Sequence, residues 1–193
     1  DECIQCHVFA GGMALSFNTR QLNRELEIEG EMVNFIKYLG DIGILDTKIE
    51  TPEILPRYSS AGDTSYSIDH QARSYLAVNC SYCHSPSGGL EANPFDVRPN
   101  RALDFTGLID GAVNFDYEDP LVNLVTRGSH DLSALWLNMT GTSTLERMPP
   151  LATFERDLEG EELIKRWINE YLPDYLSFDE WRAQHFVDPN AAE

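Results

Sequence analysis

The sequence contains the pattern Cys-x-x-Cys-His twice, and no other feature restricts the fold of this chain as strongly. One copy runs from Cys80 to His84, and the other runs from Cys3 to His7. The pattern is typical of covalent attachment of a c-type haem. The two sulfurs add to the haem vinyl groups, and the adjacent histidine is held beneath the iron as its proximal ligand. We therefore expect two covalently bound haems, attached through Cys3, Cys6, Cys80 and Cys83, with His7 and His84 as iron ligands.

Paired cysteines have two other common uses, which are redox exchange and zinc binding. Here both pairs carry histidine at the same offset, and the chain has no further cysteine. A zinc site built from both pairs would also have to close a loop of more than seventy residues. Haem attachment is therefore the preferred interpretation. Since it uses all four cysteines, we expect no disulfide.

The charge of the chain is strongly one-sided, with 32 acidic against 14 basic residues and a net charge of −18. Binding to nucleic acid needs basic patches, and docking on anionic lipid needs them too, so the charge argues against both. Redox partner proteins with basic patches would suit such a surface. No apolar run approaches the length of a membrane span, so we expect none.

The cofactor also predicts where the protein works. Haem of the c type is attached outside the cytoplasm, so we expect a mature product whose export signal has been removed. The predicted location is the periplasm or the outside of the cell.

The chain divides into a first haem unit (1–58), a second unit (63–173) and a C-terminal tail (174–193). The first unit has no room for a helix ahead of its motif, so we expect it to be incomplete at its N-terminus. Within it, an apolar stripe predicts a helix over Glu31–Leu39 that is closed by Gly40.

The second unit is expected to be helices joined by long loops. Ser67 or Asp69 can cap a helix that ends near Asn79 and delivers Cys80 to the haem. Loops should follow from Glu91 to Arg127, because this stretch is rich in proline and glycine. The remaining predicted helices are Leu132–Met139, Gly160–Leu172 (ended by Pro173) and a short amphipathic one around Phe178, Trp181, His185 and Phe186. The predicted fold class is mainly α, with cytochrome c-like helices and long loops around two covalent haems.

From Asp63 to Pro173 the order is helix, haem motif, loops, Met148-Pro149-Pro150 and helix. This order resembles a class I c-type cytochrome over about 110 residues. In that family a methionine from the far-side loop is the sixth iron ligand, and the first and last helices cross near the haem edge. The resemblance implies that Met148 is this ligand, with Met139 as the competing candidate. A thioether ligand raises the reduction potential relative to a second imidazole.

Three weaker expectations concern the surroundings of the second haem. A carbonyl near Pro94 is a candidate acceptor for the Nδ1–H of His84, which would orient the imidazole. Arg98 or Arg101 is a candidate partner for a haem propionate. The alternative for each arginine is an ordinary exposed side chain.

The sixth ligand of the first haem stays open at the level of sequence. Met13 is the nearest candidate, but its six Cα steps from His7 span at most roughly 20 Å, barely enough to pass round a haem edge. A ligand from another chain and an open position are further alternatives. The other candidates within this chain are Met32, His70, His130, Met139 and His185.

The motifs taken together resemble a family of bacterial dihaem c-type cytochromes. The similarity runs over most of residues 3–172 and is most specific from Ala72 to His84; the other segments are Thr19–Asn23, Gly40–Leu45 and Arg147–Pro150. It implies two covalent haems and an exported electron-transfer protein. Members of the family are longer, with a β-rich stretch ahead of the first motif. The resemblance therefore implies a cleaved precursor or a missing partner surface.

The leading functional hypothesis is an electron carrier or relay between redox partners, because two haems on one small chain form a short wire. Stacking of haems between copies, through the first haem unit, would extend it into a homo-oligomer or filament. One alternative is a dihaem peroxidase-like enzyme that uses an open haem. The other is the electron-accepting subunit of a periplasmic dehydrogenase. The sequence favours a carrier over an enzyme, since it offers no distal acid–base group.

Overall fold

In a computed structural model, residues 17–86, 95–143, 145, 147–150 and 155–186 are described. This part of the chain is partly helical and contains one two-stranded sheet, whereas a mainly α fold arranged around two haems stays a prediction. None of its helices is long and apolar enough to cross a membrane. Its regular elements, in chain order, are α1 (Thr19–Leu22), β1 (Glu25–Ile28), β2 (Glu31–Asn34), α2 (Phe35–Asp41), α3 (Ile68–Asn79), α4 (Ala134–Thr140), α5 (Leu158–Arg166) and α6 (Phe178–His185).

The described part of the first unit (17–58), which we call the first segment, is built on an antiparallel hairpin of β1 and β2. Its turn has positive φ at Glu29 and Gly30, the conformation that joins two twisted strands through two residues. The predicted helix Glu31–Leu39 is therefore wrong in its first half, which is strand β2. Helix α2 begins only after Asn34, whose side chain accepts a hydrogen bond from the Lys37 backbone N–H.

Gly40 lies inside α2 and does not close the helix as predicted. A Cβ at this position would come within 3.0–3.3 Å of the backbone of residues 47–49. Glycine is needed here because the chain returns directly against the helix. Positive φ occurs instead at Gly43.

Asn23 holds this segment together and is almost fully buried, with 1% of its surface exposed. Its amide nitrogen donates to the carbonyls of Pro52 and Leu55, at 2.9 Å each. Its amide oxygen accepts a hydrogen bond from the side chain of Asn34 at 2.9 Å. One polar side chain thus joins the connector after α2 to the hairpin.

Helix α3 confirms the predicted leading helix of the second unit. Ser67 caps it by accepting a hydrogen bond from the His70 backbone N–H. Its inner face buries Ala72 and Leu76 in the main core. The capped start and the buried stripe fix both the direction of the helix and the place where Cys80 emerges.

The predicted final helix is also present, although it begins earlier and changes its winding. Asp157 caps α5, and the chain continues as a π turn over Trp167–Tyr171 and a 3₁₀ turn over Leu172–Asp174. Trp167 has no exposed surface, and its indole N–H donates to Asp69 of α3 at 3.0 Å. The predicted stop at Pro173 falls within the 3₁₀ turn.

The loops between α3 and α4 contain no regular strand in their described part, as predicted. Isolated bridges join Ile109 to Val125 and Asn123 to Ser133. Helix α4 confirms the predicted helix over Leu132–Met139 with slightly later bounds, and it ends at Gly141 in the left-handed conformation.

Helix α6 in the tail was also predicted, whereas its anchoring was not. Ser177 and Glu180 form a capping box at its start. Arg127 donates to both carboxylate oxygens of Glu180, at 3.0 and 3.1 Å, and to the carbonyl of Tyr175 at 3.2 Å. Asp104 also accepts a hydrogen bond from the Phe178 backbone N–H at 2.9 Å, so Arg127 and Asp104 together fix the tail helix to the loops of the second unit.

Candidate functional site

The motif Cys80–His84 forms a closed turn at the carboxyl end of α3. The Cys80 N–H donates to the Leu76 carbonyl at 2.9 Å, which completes the helix. The N–H groups of Cys83 and His84 then both donate to the Cys80 carbonyl, at 3.2 and 2.8 Å. The two cysteines and the histidine are thus gathered around one carbonyl oxygen, close to the end of the helix.

The two sulfurs of this motif have different surroundings. Cys80 is half-buried and packs against the main core, and burial raises the pKa of its thiol to about 12. Cys83 is in a disulfide. This differs from the expectation of no disulfide. A sulfur cannot be in a disulfide and in a thioether at the same time, so the disulfide and the predicted haem attachment exclude each other at Cys83.

The imidazole of His84 lies flat against the ring of Phe95, with centroids 4.1 Å apart and planes 7° from parallel. The carbonyl of His84 also accepts the Val97 N–H at 3.2 Å. Phe95 was missed in the sequence because a single aromatic residue in a loop carries no periodic signal. The carbonyl near Pro94 that was expected to accept from His84 lies outside the described residues.

Met148, the predicted sixth ligand, lies on a loop that is fixed to the end of α4. Its N–H donates to the Asn138 carbonyl at 3.0 Å, and Arg147 Nε donates to the Met139 carbonyl at 3.1 Å. The two candidate methionines differ in burial. Met139 is 5% exposed and belongs to the core, whereas Met148 is half-buried outside it. Met139 therefore has the position of a core residue, and Met148 has that of a loop residue held in place by backbone bonds.

Arg98 and Arg101, the candidate propionate partners, both approach the buried carboxylate of Asp96. The Arg98 guanidinium lies 2.8 Å from it, and the Arg101 Nε lies 3.7 Å from it. The Arg98 hydrogen bonds lower the pKa of Asp96. Both arginine side chains remain almost half exposed, at 42% and 47%. Arg98 is thus bonded to Asp96, whereas the Nε of Arg101 donates to the Phe105 carbonyl at 2.9 Å.

An open cleft of about 310 Å³ lies between the first segment and the middle of the motif. Arg20 and Tyr58 line one side, and Ser81 and Tyr82 of the motif line the other. The side-chain amide of Gln21 approaches the Tyr82 hydroxyl at 3.5 Å. The volume of the cleft is at the lower end for small-molecule sites. The cleft places one cation, Arg20, next to the predicted haem attachment site.

The first motif lies outside the described residues, and so do Cys3, Cys6, His7 and the ligand candidate Met13. The five remaining candidates for its sixth ligand can be located, and one of them, His185, is exposed on α6 with its Nδ1 2.8 Å from the Trp181 carbonyl oxygen. Met32 is 66% exposed on β2, and Met139 is in the core. His70 stacks on Tyr66 at 4.6 Å, and His130 meets the ring of Trp136 edge-on at 4.5 Å.

In the described part of the chain, no three or more His, Cys, Asp and Glu side chains are grouped as a metal site. A c-type haem needs no such group, because two thioethers and the axial ligands hold it. Comparison of the chain with protein-family models, with curated proteins and with solved structures found no match.

Proposed function

We propose that the chain is an exported dihaem c-type cytochrome that transfers electrons between redox partner proteins. The observation that carries the proposal is the position of the motif Cys80–His84. It lies at the carboxyl end of a capped helix, α3, that packs against the closing helix α5. This is the relationship that the resemblance to a class I cytochrome c implies for the first and last helices of a haem unit.

The contact between α3 and α5 is close enough to define their crossing. A Cβ on Gly160 of α5 would overlap the ring of Tyr75 on α3, with the phenol oxygen only 2.6 Å away. One helix turn further along α5, Ile164 is fully buried in the shared core. The pair therefore forms a rigid base that sets the direction in which Cys80 leaves α3.

The residue types at this site are those that a covalent haem needs, provided that the disulfide of Cys83 is first reduced. Cys80 and Cys83 would supply the thioether bonds, His84 the proximal nitrogen and Met148 the sixth ligand. When bound, the haem supplies a one-electron change at iron. The flat stack on Phe95 restricts rotation of the His84 ring, and the backbone bond from Met148 to Asn138 restricts the loop that carries the weaker ligand.

The charge of the chain supports partners with basic patches. A net charge of −18 produces a negative potential that steers basic proteins to the surface and repels nucleic acid and anionic lipid. Against this background, Arg20 in the cleft beside the motif is a suitable partner for a haem carboxylate. The same charge implies that association with a partner weakens as salt increases.

The test is to express the chain with its export and haem-attachment machinery and to count haems by mass and by the pyridine haemochrome spectrum. Two haems per chain, reversible reduction and electron exchange that slows with rising salt are expected. Fewer than two haems per chain would overturn the proposal. Rapid peroxide turnover after partial reduction would indicate the peroxidase-like enzyme instead.

A further inference from the structure

The open cleft between the first segment and the motif Cys80–His84 has a positive charge in its lining. The described residues that line it include Arg20 and no Asp or Glu, although the chain has 32 acidic against 14 basic residues. None of the ion pairs within the described part of the chain involves Arg20. Arg20 is thus a half-buried cation to which the described residues supply no carboxylate.

Both walls of the cleft are held by hydrogen bonds. The Tyr58 N–H donates to the Arg20 carbonyl at 3.1 Å, which fixes these two residues side by side. A capping box at its start fixes the short helix α1, which carries Arg20. On the opposite wall, the Ser81 hydroxyl donates to the Ala77 carbonyl at 2.6 Å. The cleft is therefore formed in advance of any ligand, as small-molecule sites usually are.

Two half-buried tyrosines, Tyr58 and Tyr82, bring an aromatic ring to each wall. Burial raises the pKa of the Tyr58 hydroxyl, and the charge of Arg20 opposes this effect. Tyr82 also acts electrostatically on the same hydroxyl. Since such effects require proximity, the polar ends of the three side chains converge in the cleft. A flat ring can pack against the tyrosines, and their hydroxyls can donate or accept hydrogen bonds.

The net charge of −18 does not prevent an anion from binding in this cleft. Interactions between exposed charges are largely screened beyond about 8 Å at physiological ionic strength. The charge in the lining therefore outweighs more distant carboxylates, and that charge is Arg20. A guanidinium binds a carboxylate through two parallel N–H···O bonds, which gives the contact both strength and direction.

We propose that this cleft binds a carboxylate carried by a flat ring, with the carboxylate on Arg20 and the ring between Tyr58 and Tyr82. The volume of about 310 Å³ suits a ligand of one ring. Two sources have this chemistry, namely a free aromatic acid and the propionate edge of a haem attached at Cys80 and Cys83. The second source rests on the proposed function, whereas the first does not.

The test titrates the purified chain with benzoate and follows its NMR chemical shifts. We expect saturable shifts at Ser81 and Tyr82 with a dissociation constant of roughly 0.1–1 mM, which one ring and one charged contact can supply. Benzamide has the same shape without the charge, and acetate has the charge without the ring. Each should bind about tenfold more weakly than benzoate.

Variants of Arg20 locate the charged contact. Arg20→Gln should weaken benzoate binding about tenfold or more, and Arg20→Lys, which keeps the charge, should weaken it less. Arg24→Gln changes an exposed arginine outside the cleft and is the matched control that should leave binding unchanged. Equal binding of benzoate by Arg20→Gln and the unaltered chain would overturn the inference. So would equal binding of benzamide and benzoate.

Resonance Raman spectroscopy of the haem-bearing protein distinguishes the two sources. If the carboxylate is a haem propionate, benzoate does not bind, and Arg20→Gln shifts the propionate bending band whereas Arg24→Gln does not. The absence of both benzoate binding and this shift would overturn the inference. A chain that carries no haem and still binds benzoate would support the inference and overturn the proposed function, so the two can fail separately.

Discussion

The ring of Tyr75 lies over the backbone of Gly160, where helices α3 and α5 cross. A methyl group on Gly160 would overlap the ring carbons Cε2 and Cζ of Tyr75. The same ring is half-buried, and the pKa of its hydroxyl is raised by burial and then by the nearby charge of Asp157. The tyrosine is therefore confined between the glycine backbone and an acidic loop, and the two helices approach as closely as the ring allows.

The variant Gly160→Ala should destabilise the protein by about 1–3 kcal/mol, the usual range for overpacking. The sign of this change in the free energy of unfolding is informative, because alanine in an unobstructed helix interior is favoured over glycine by roughly 0.5–1 kcal/mol. Unfolding in urea, followed by circular dichroism, measures the change. In the background Tyr75→Ala the same substitution should cost much less, because the obstacle has gone. Equal costs in both backgrounds would contradict the contact.

Met148 and Met139 should respond differently to substitution. Met148→Leu keeps the size of the side chain and removes the thioether, so we expect one haem to lose its His/Met spectrum and fall in potential. The change in packing alone should alter the free energy of unfolding by less than about 1.5 kcal/mol. The loss of the bond to iron adds to this. Met139→Ala should show the reverse, with both spectra retained and a loss of about 2–5 kcal/mol in stability. An unchanged spectrum in Met148→Leu would exclude this methionine as the ligand.

The number of cysteines that react with an alkylating reagent measures how many sulfurs are bonded to haem. In the haem-bearing protein, after denaturation and reduction, we expect no sulfur to react with an alkylating reagent, because all four are thioethers. The same chain produced without haem attachment should take up four labels after reduction. Before reduction Cys83 should take up no label, since that sulfur is in a disulfide. Peptide mass spectrometry locates each label. Reactive thiols in the unaltered dihaem protein would contradict the assignment.

Asn23 should be among the most sensitive positions of the first segment. Asn23→Ala leaves the carbonyls of Pro52 and Leu55 without their donor in a buried place, which typically costs about 1–3 kcal/mol. Asn23→Asp should be at least as harmful, because a carboxylate would face the same two carbonyls. Hydrogen exchange should show faster opening over 17–58, with α3 and α5 less affected. If hydrogen exchange became equally faster across the whole chain, the first segment would not open separately.

Acid should release the tail helix α6 before it disturbs the core. Hydrogen bonds from Arg127 lower the pKa of Glu180 to about 2, from an ordinary value near 4.5. The depressed pKa means that this contact stabilises the docked tail above about pH 4.5. The contribution is lost as the pH falls from there towards 2. Fluorescence of Trp181 should follow the transition, and Glu180→Gln should weaken the pH dependence in this window, leaving the contacts of Asp104 with Phe178 and Tyr175 in place.

The second unit was largely predictable because its signals are local. The Ser67 cap and the spacing of Ala72 and Leu76 define α3 in the sequence, and the stripe from Leu163 to Leu172 defines the closing helical stretch. The motif itself predicts which residues would bind the proposed haem. Helix caps, apolar periodicity and the haem motif each involve residues that are close together in the chain. Such short-range signals can be recognised in a single sequence.

What could not be predicted depends on contacts between distant parts of the chain. The segment Glu31–Leu39 has a helical apolar pattern, yet its first four residues pair with β1 as a strand. The stack of His84 on Phe95 and the Asn23 hydrogen bonds join positions that no periodic pattern connects. Arg127 reaches Glu180 over more than fifty residues. Such contacts follow only from the assembled fold.

The raised pKa of Cys80 has a consequence for how the protein is made. Burial raises the pKa of this thiol and so disfavours the thiolate, which is the reactive form. Once α3 and its terminal turn have closed, this sulfur is a poor nucleophile. The proposed haem attachment should therefore be faster on the unfolded polypeptide than on the folded chain, which comparison of haem uptake by the two forms measures.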